Sequence, residues 1–251
     1  MLIKQFLKVF TGYKSDSASL TVVGVGPGDP SLLTIAAVDA IKKAKVIVFP
    51  ISDDNKKSFA AEIVKKHTKL KKNVPIVFPM AREGFDPDEI WSIAVEKIVK
   101  FIKNDESVVL LCLGDTSLFA SSSNILRIIK NTYPEIITKT IPGISSLSAA
   151  AALNDFDLVK KGETLIIKEC PSSNSELTSL ITESRGNQTV LAIMKVGKRW
   201  NLVRKILKKE DIINKSLIAL SVGMPNQIIQ NASQYKKDFM PYFSLILIRF
   251  D

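Results

Sequence analysis

Leu20-Thr21-Val22-Val23-Gly24-Val25-Gly26-Pro27-Gly28-Asp29-Pro30 decides how the rest of the chain is read. Residues 20–26 are a short apolar run closing on glycines, the pattern of a buried strand entering a turn. Asp29-Pro30 then predicts a helix start, because Asp caps free N–H groups and Pro suits the first helical position. Leu32, Leu33, Ala36, Ala37, Ala40 and Ile41 continue at helical spacing as far as Lys43. A strand that ends in glycines and hands over to a helix is where open α/β sheets bind their ligands.

Outward from that stretch the alternation repeats. Apolar strands are predicted at 45–50, 74–78 and 107–113 and a further strand near 136–141, with helices at 58–66, from Asp86-Pro87 to 103, at 117–131 and at 147–153. The strands as far as 113 are continuously apolar instead of alternating, which argues for a parallel sheet covered on both faces. Beyond residue 140 the texture changes. Strands are predicted at 164–168, 189–195, 216–222 and 242–250 and helices at 175–184 and 200–208, with an antiparallel contribution near the end. The fold class is therefore α/β, in two α/β domains. An extension covers 1–19, a domain with a mostly parallel sheet covers 20–140, and a domain with a mixed sheet covers 141–251. No Gly/Ser linker marks the boundary, and no internal repeat is visible.

Composition excludes several classes. In 251 residues, 46% hydrophobic and 24% charged, there is enough apolar surface to offset chain entropy, so disorder is not the main state. No apolar run reaches the roughly 18–20 residues that cross a bilayer. Lys4 and Lys8 interrupt any secretory signal core, and a cytoplasmic protein is expected. Leu2, Phe6 and Phe10 are read as a docked or frayed extension, not a membrane anchor. Cys112, Cys170 and the single His67 supply neither a disulfide framework nor a zinc spacing, so no metal is expected. The reactive group is then expected to come from a bound molecule. The net charge of +10 suits an anionic partner, either nucleic acid or a polycarboxylate. Aromatic residues at 7%, with no interleaved basic–aromatic pattern, argue against nucleic acid. The basic run 65–72 is read as a solvated face, and Arg82 and Lys168 as candidate contacts for carboxylates.

Three strand-to-helix loops carry chemistry. In the first, a dinucleotide fingerprint would need Gly at position 29, where Asp29 stands, and Pro27 removes a backbone N–H. Asp53 and Asp54, after the second strand, are read as loop and cap residues, not ribose ligands. In the second loop, Gly114 allows close approach to the backbone, while Asp115 either caps a helix near Ser117 or receives ribose hydroxyls or a cation. In the third, Pro142-Gly143-Ile144-Ser145-Ser146, hydroxyls and free N–H groups suit a carboxylate or serve as caps.

Taken in order, these words resemble the tetrapyrrole methylase family from Leu20 onward, and Ile193-Met194-Lys195 and Gly223-Met224-Pro225-Asn226-Gln227 continue the likeness. Phe49-Pro50 and Ser121-Ser122-Ser123 fit its cobalamin branch better than its uroporphyrinogen branch. The chain departs from the family with Thr116 where Pro is frequent, and with Leu113 where Glu or Gly is frequent. The resemblance implies S-adenosylmethionine as cofactor, a polycarboxylate tetrapyrrole as substrate, a homodimer, and an active site in the cleft between the domains. It further implies cofactor contacts from Pro27, Leu113, Gly114, Asp115, Leu118, Ser145, Ser146, Met194, Gly223 and Met224. Asp29 is implied as the group that removes a proton from the methylated carbon; read from its place in the chain alone, it is a helix cap.

Overall fold

The computed structural model describes residues 19–52, 57–69, 71–78, 87–185 and 188–250. Asp53, Asp54, Arg82, Asp86 and the extension as far as residue 18 lie outside the described residues. The chain divides into two compact units. One is Met1–Val25, in its described part, with Leu33–Gly143; the other is Gly26–Leu32 with Ile144–Asp251. The loop expected wholly in the first half is thus split, its Gly26–Leu32 portion belonging to the second unit.

The first unit holds strands β1 (Ser19–Gly24), β2 (Val46–Ile51), β3 (Lys72–Val77), β4 (Val108–Cys112) and β5 (Ile137–Ile141). Its helices are α1 (Ile35–Lys43), α2 (Phe59–Thr68), α3 (Pro87–Lys103) and α4 (Ser122–Thr132). The strands are all parallel in the order β3-β2-β4-β1-β5, with Val22 opposite Leu110 on one side and Thr140 on the other. Val22 and Val23 are both 0% exposed, which is why the strand shows no polar alternation. Val22, Val48 and Leu110 face α3 and α4, and Val23, Ile47 and Leu111 face α1 and α2. Connections from β1 and β2 step one way across the sheet with their helices on one face. Those from β3 and β4 step back with theirs on the other, as a single crossover hand requires. β4 lies between β2 and β1, and its connection leaves in the direction opposite to both of theirs, so the reversal that defines a topological switch point falls at β4.

The second unit holds β6 (Thr164–Glu169), β7 (Thr189–Met194), β8 (Ser216–Leu220), β9 (Ile228–Asn231) and β10 (Ser244–Arg249). Its helices are α5 (Ser146–Ala152), α6 (Asn174–Arg185) and α7 (Trp200–Lys209). The sheet order is β6-β7-β10-β8-β9, parallel between β6 and β7 and antiparallel elsewhere. Ala192 and Ala219 lie in one core with Ala149, Ala150 and Ala151, so a short helix of small residues covers that face of the sheet. On the other face Ile193, Ile218 and Ile246 pack with Leu177, Ile181 and Trp200. Trp200 is 0% exposed and its indole N–H donates to the Lys237 carbonyl at 2.9 Å, so its one polar atom is satisfied.

Two expected helix starts are corrected. Asp29-Pro30 opens only a 3-10 turn, Pro30–Leu32, and α1 begins at Ile35 under Thr34, whose Oγ1 accepts from the Ala37 N–H at 3.1 Å. The chain cannot turn helical earlier because Gly26–Leu32 is bound into the second unit, where Leu32 joins the core beneath α5. α4 begins at Ser122, not near Ser117, because Phe119 has a φ of 51°. β9, a half-buried strand of four residues, is an element the sequence did not announce.

Candidate active site

The ends of β4, β1 and β5, neighbours in the sheet, bring Leu113-Gly114-Asp115, Gly24-Val25 and Pro142-Gly143 side by side. Their backbones meet without side chains between them. A Cβ on Gly143 would stand 2.3 Å from the Gly114 carbonyl oxygen and 2.7 Å from the Gly24 carbonyl carbon. One on Gly24 would stand 2.5 Å from the Gly143 nitrogen. Gly24 and Gly143 are therefore required by the packing of three strand ends. Gly114 has a different reason. Its φ is 76°, in the left-handed region, and a Cβ there would meet nothing within 4 Å, so its backbone faces open space.

Asp115 ties this junction together. Its Oδ2 accepts from the Gly143 N–H at 3.0 Å, and its Oδ1 accepts from the Ser117 N–H at 2.8 Å and from the Ser117 hydroxyl. Partial burial alone would raise its pKa. The Ser117 hydroxyl and N–H, then the Gly143 and Thr116 N–H groups, outweigh burial and hold the carboxylate below its usual range. The side chain is thus engaged in joining the β4 loop to the β5 loop; it caps a turn and no helix. Leu113 is partly buried against the core under α1 and α2, and Leu118 is half-buried. Cys112, at the end of β4, has its thiol pushed up chiefly by burial, and burial likewise raises Cys170, so neither is poised as a thiolate.

In the second unit Gly28 and Gly223 are in backbone contact. A Cβ on Gly28 would lie 2.7 Å from the Gly223 carbonyl carbon and 2.8 Å from Met224 Cγ, and one on Gly223 would lie 2.7 Å from the Asp29 nitrogen. Pro27 is buried in this segment. The Gly223 turn is fixed by Gln227, whose Oε1 accepts from the Gly223 N–H at 2.7 Å, and by the Met224 N–H donating to the Ser221 carbonyl at 2.9 Å. Asp29 is exposed and accepts from the Ser31 N–H at 2.8 Å, and that bond, then the Ser31 hydroxyl, lowers its pKa. Met194 ends β7 opposite Leu245 and is partly buried against the core that holds Leu147. Ser145 caps α5: its Oγ accepts from the Ser148 N–H at 3.1 Å and is hydrogen-bonded to the Ser148 hydroxyl at 3.0 Å. Ser146 is the first residue of that helix. The structure thus brings Leu113, Gly114 and Asp115 together in one unit, and Pro27, Asp29, Gly223 and Met224 together in the other. Sequence reasoning did not single out Gln227 or Ser117 as the residues that lock these turns, although both stand inside the quoted words.

Open parallel α/β sheets bind ligands at the carboxyl ends of their strands, and Gly24, Gly114 and Gly143 lie at three such ends. The sequence profile of the tetrapyrrole (corrin/porphyrin) methylases matches residues 19–235. The chain belongs to that family, and it is an S-adenosylmethionine-dependent methyltransferase. It is 35% identical over 145 residues to a probable cobalt-precorrin-2 C(20)-methyltransferase of Methanocaldococcus jannaschii, a match over 58% of this chain and 61% of that protein. It is 23% identical to the cobalt-precorrin-2 C(20)-methyltransferase of Salmonella typhimurium, over 92% of this chain and 96% of that protein. A solved structure of a cobalt precorrin-4 methyltransferase superposes with a TM-score of 0.70 at 17% identity, covering 93% of this chain and 95% of that one, and shows the same fold.

Proposed function

We propose that this chain transfers a methyl group from S-adenosylmethionine to C-20 of a precorrin-2-type tetrapyrrole in cobalamin biosynthesis. Similarity over 92% of the chain to a protein named for that reaction carries the proposal. The open backbone at Gly114 supports the cofactor reading: a Cβ there would meet nothing within 4 Å, and φ is held where glycine is unstrained.

In this reading residues 113–115 offer backbone groups to the cofactor, Leu118 an apolar contact, and Ser145 and Ser146 the amino end of α5. Pro27, Met194, Gly223 and Met224 complete the contacts from the second unit. When bound, S-adenosylmethionine supplies a methyl already activated by its sulfonium, so the protein needs no nucleophile of its own. The chain's task is to hold the reacting carbon in line, and alignment of this kind can contribute up to about 7–11 kcal/mol. Asp29, exposed and ionised at neutral pH, is the proposed acceptor of the proton released from the methylated carbon. The +10 charge favours approach of a polycarboxylate, and Lys168 remains a candidate contact for it. On the sequence grounds given above, the proposal also takes the enzyme as a cytoplasmic homodimer without metal or nucleic-acid partner.

The test is incubation of the purified protein with methyl-labelled S-adenosylmethionine and precorrin-2, with and without cobalt in the ring. Label at C-20, giving precorrin-3A or its cobalt counterpart, is expected. Label at another ring carbon, or label on uroporphyrinogen III when that is offered in a parallel incubation and none on precorrin-2, overturns the branch assignment.

A further inference from the structure

The net charge of +10 is not spread evenly along the chain. Residues 195–238 hold ten Lys and Arg against three acids, Glu210, Asp211 and Asp238, so 44 residues of the second unit carry +7 of it. Helix α7 is the centre of that stretch. Trp200, Val203, Ile206 and Leu207 face the core. Asn201, Arg204, Lys205, Lys208 and Lys209 fall on the opposite side at helical spacing, with no acid among them. Lys198, in the 3-10 turn that leads into the helix, is exposed as well. Of the three acids, Glu210 is turned to Arg185 of α6 at 3.6 Å, and Asp238 meets Arg204 at 2.8 Å.

Helix stability does not ask for this arrangement. Arg204 with Lys208, and Lys205 with Lys209, are like-charge pairs four residues apart. Lys208 and Lys209 suit the negative end of the helix dipole, but Lys198 stands at the end that repels cations. The first turn of α7 holds no acid, and its cap position makes no side-chain bond, to offset that charge. Beside the basic face lies a fixed apolar edge. The Trp200 indole N–H donates to the Lys237 carbonyl at 2.9 Å, and the Met240 N–H donates to the Gly197 carbonyl at 3.3 Å. The Tyr235 hydroxyl donates to the Phe239 carbonyl at 2.9 Å, and Met240 is buried. The segment is thus fastened to the start of α7, yet Phe239 is 66% exposed and Tyr242 47%. Lys236 and Lys237, just before them, are exposed too.

We propose that α7 and residues 236–242 form a docking surface for an anionic lipid bilayer. Phe239 enters the headgroup layer, and the lysines of α7 lie against the lipid charges. An apolar edge beside a basic face is the layout of elements that rest on membranes, and Tyr suits a boundary that is apolar on one side and wet on the other. A second copy of this chain fits poorly, since two such faces repel. Single-stranded nucleic acid is held by aromatics spaced along a basic groove, whereas Phe239 and Tyr242 stand together at one edge. Resting on a bilayer needs no spanning segment, and among the described residues no helix is long and apolar enough to cross one. Nothing here depends on the methyl-transfer reading.

The full-length protein is sedimented with vesicles of phosphatidylcholine alone, and with about one third phosphatidylglycerol, at low and high salt. Binding to the anionic vesicles alone, lost at high salt, is expected. Lys205→Gln with Lys208→Gln is expected to weaken it about thirty-fold, about five-fold for each lysine removed from the surface. Phe239→Ala is expected to weaken it about ten-fold, the scale of one partly inserted ring. Lys65→Gln with Lys66→Gln takes the same charge from exposed positions on α2 and is expected to leave binding within about two-fold. All variants are expected to melt close to the wild type, since the side chains removed are exposed. Absence of binding to anionic vesicles overturns the inference. Equal losses in the α2 and α7 variants overturn it, because net charge alone then explains the binding. An unchanged Phe239→Ala overturns it too, since no ring then enters the lipid. Tighter binding to single-stranded RNA than to vesicles, weakened by the same α7 substitutions, overturns it and assigns the face to nucleic acid. Sedimentation reads no activity, so its failure and the failure of the methyl-transfer reading are told apart.

Discussion

Replacing Gly143 by Ala and, separately, Gly114 by Ala tests whether the junction of β4, β1 and β5 needs its glycines for different reasons. In Gly143→Ala the new methyl would lie 2.3 Å from the Gly114 carbonyl oxygen and 2.7 Å from Gly24, against the 3.4 Å at which ordinary contact begins. The obstacles are backbone atoms at the end of β1 and just beyond β4, so neither can swing aside as a side chain would. Overpacking of this kind costs about 3 kcal/mol. At roughly 2–4 °C per kcal/mol for a chain of this size, the melting temperature falls by about 6–12 °C. In Gly114→Ala the methyl meets nothing within 4 Å, and the penalty is the left-handed φ of 76°. That strain is about 1–2 kcal/mol, offset in part by the lower entropy of the unfolded Ala chain. A loss of about 2–4 °C is expected. The order reverses for ligand binding: a methyl at Gly114 fills the space offered to the cofactor, so calorimetry with S-adenosylhomocysteine at 10 °C should show affinity at least about ten-fold weaker, the equivalent of about 1.4 kcal/mol. Folded Gly143→Ala protein should keep the greater part of its affinity. Equal losses of melting temperature in the two variants, or wild-type affinity in Gly114→Ala, would refute the distinction between packing glycine and approach glycine.

Two further substitutions probe the carboxylates. Asp115→Asn leaves the part-buried Gly143 N–H facing an amide, and a loss of about 1–3 kcal/mol is expected at pH 7. Because the folded chain holds the Asp115 pKa below its unfolded value of about 3.9, the stability it contributes is fully present above that pH and is lost as pH falls through the folded pKa. Melting curves should therefore show a constant gap between wild type and variant from about pH 5 to pH 8 that closes below about pH 4; a gap unchanged at pH 3 would contradict the clamp. Asp29→Asn should lower kcat by about 10²-fold while S-adenosylhomocysteine binding and melting temperature stay near wild type, and an unchanged kcat would leave Asp29 with its turn-capping role alone.

The parallel sheet was legible because Val22, Val23, Val108, Val109, Leu110 and Leu111 are buried on both faces and so lack any polar alternation. The order of its central strands was not, since β1, β2 and β4 carry the same apolar signature and nothing local says which neighbour each takes. The short words at Gly24, Gly114 and Gly143 could be picked out as strand-end loops, but their contact brings Gly24 against residues 90 and 119 positions further along the chain, which nothing local announces. The Asp29-Pro30 start misled for a physical reason: the local cap signature is genuine and closes a single 3-10 turn, but the long-range fit of Gly28 against Gly223 decides where the chain goes next. Of the two readings of Ser145, ligand contact or cap, the second is visible in its bond from the Ser148 N–H.

The excursion of Gly26–Leu32 into the second unit bears on how the molecule is made. During synthesis Leu32 leaves the ribosome long before its core partners Leu147, Ala219 and Val222 exist. The first unit can assemble its sheet on its own schedule, yet the seven-residue bridge between β1 and α1 must wait for the last third of the chain to emerge. A fragment cut after Gly143 would carry that bridge without a seat, so severing the gene at the apparent boundary gives an incomplete half, not an autonomous one.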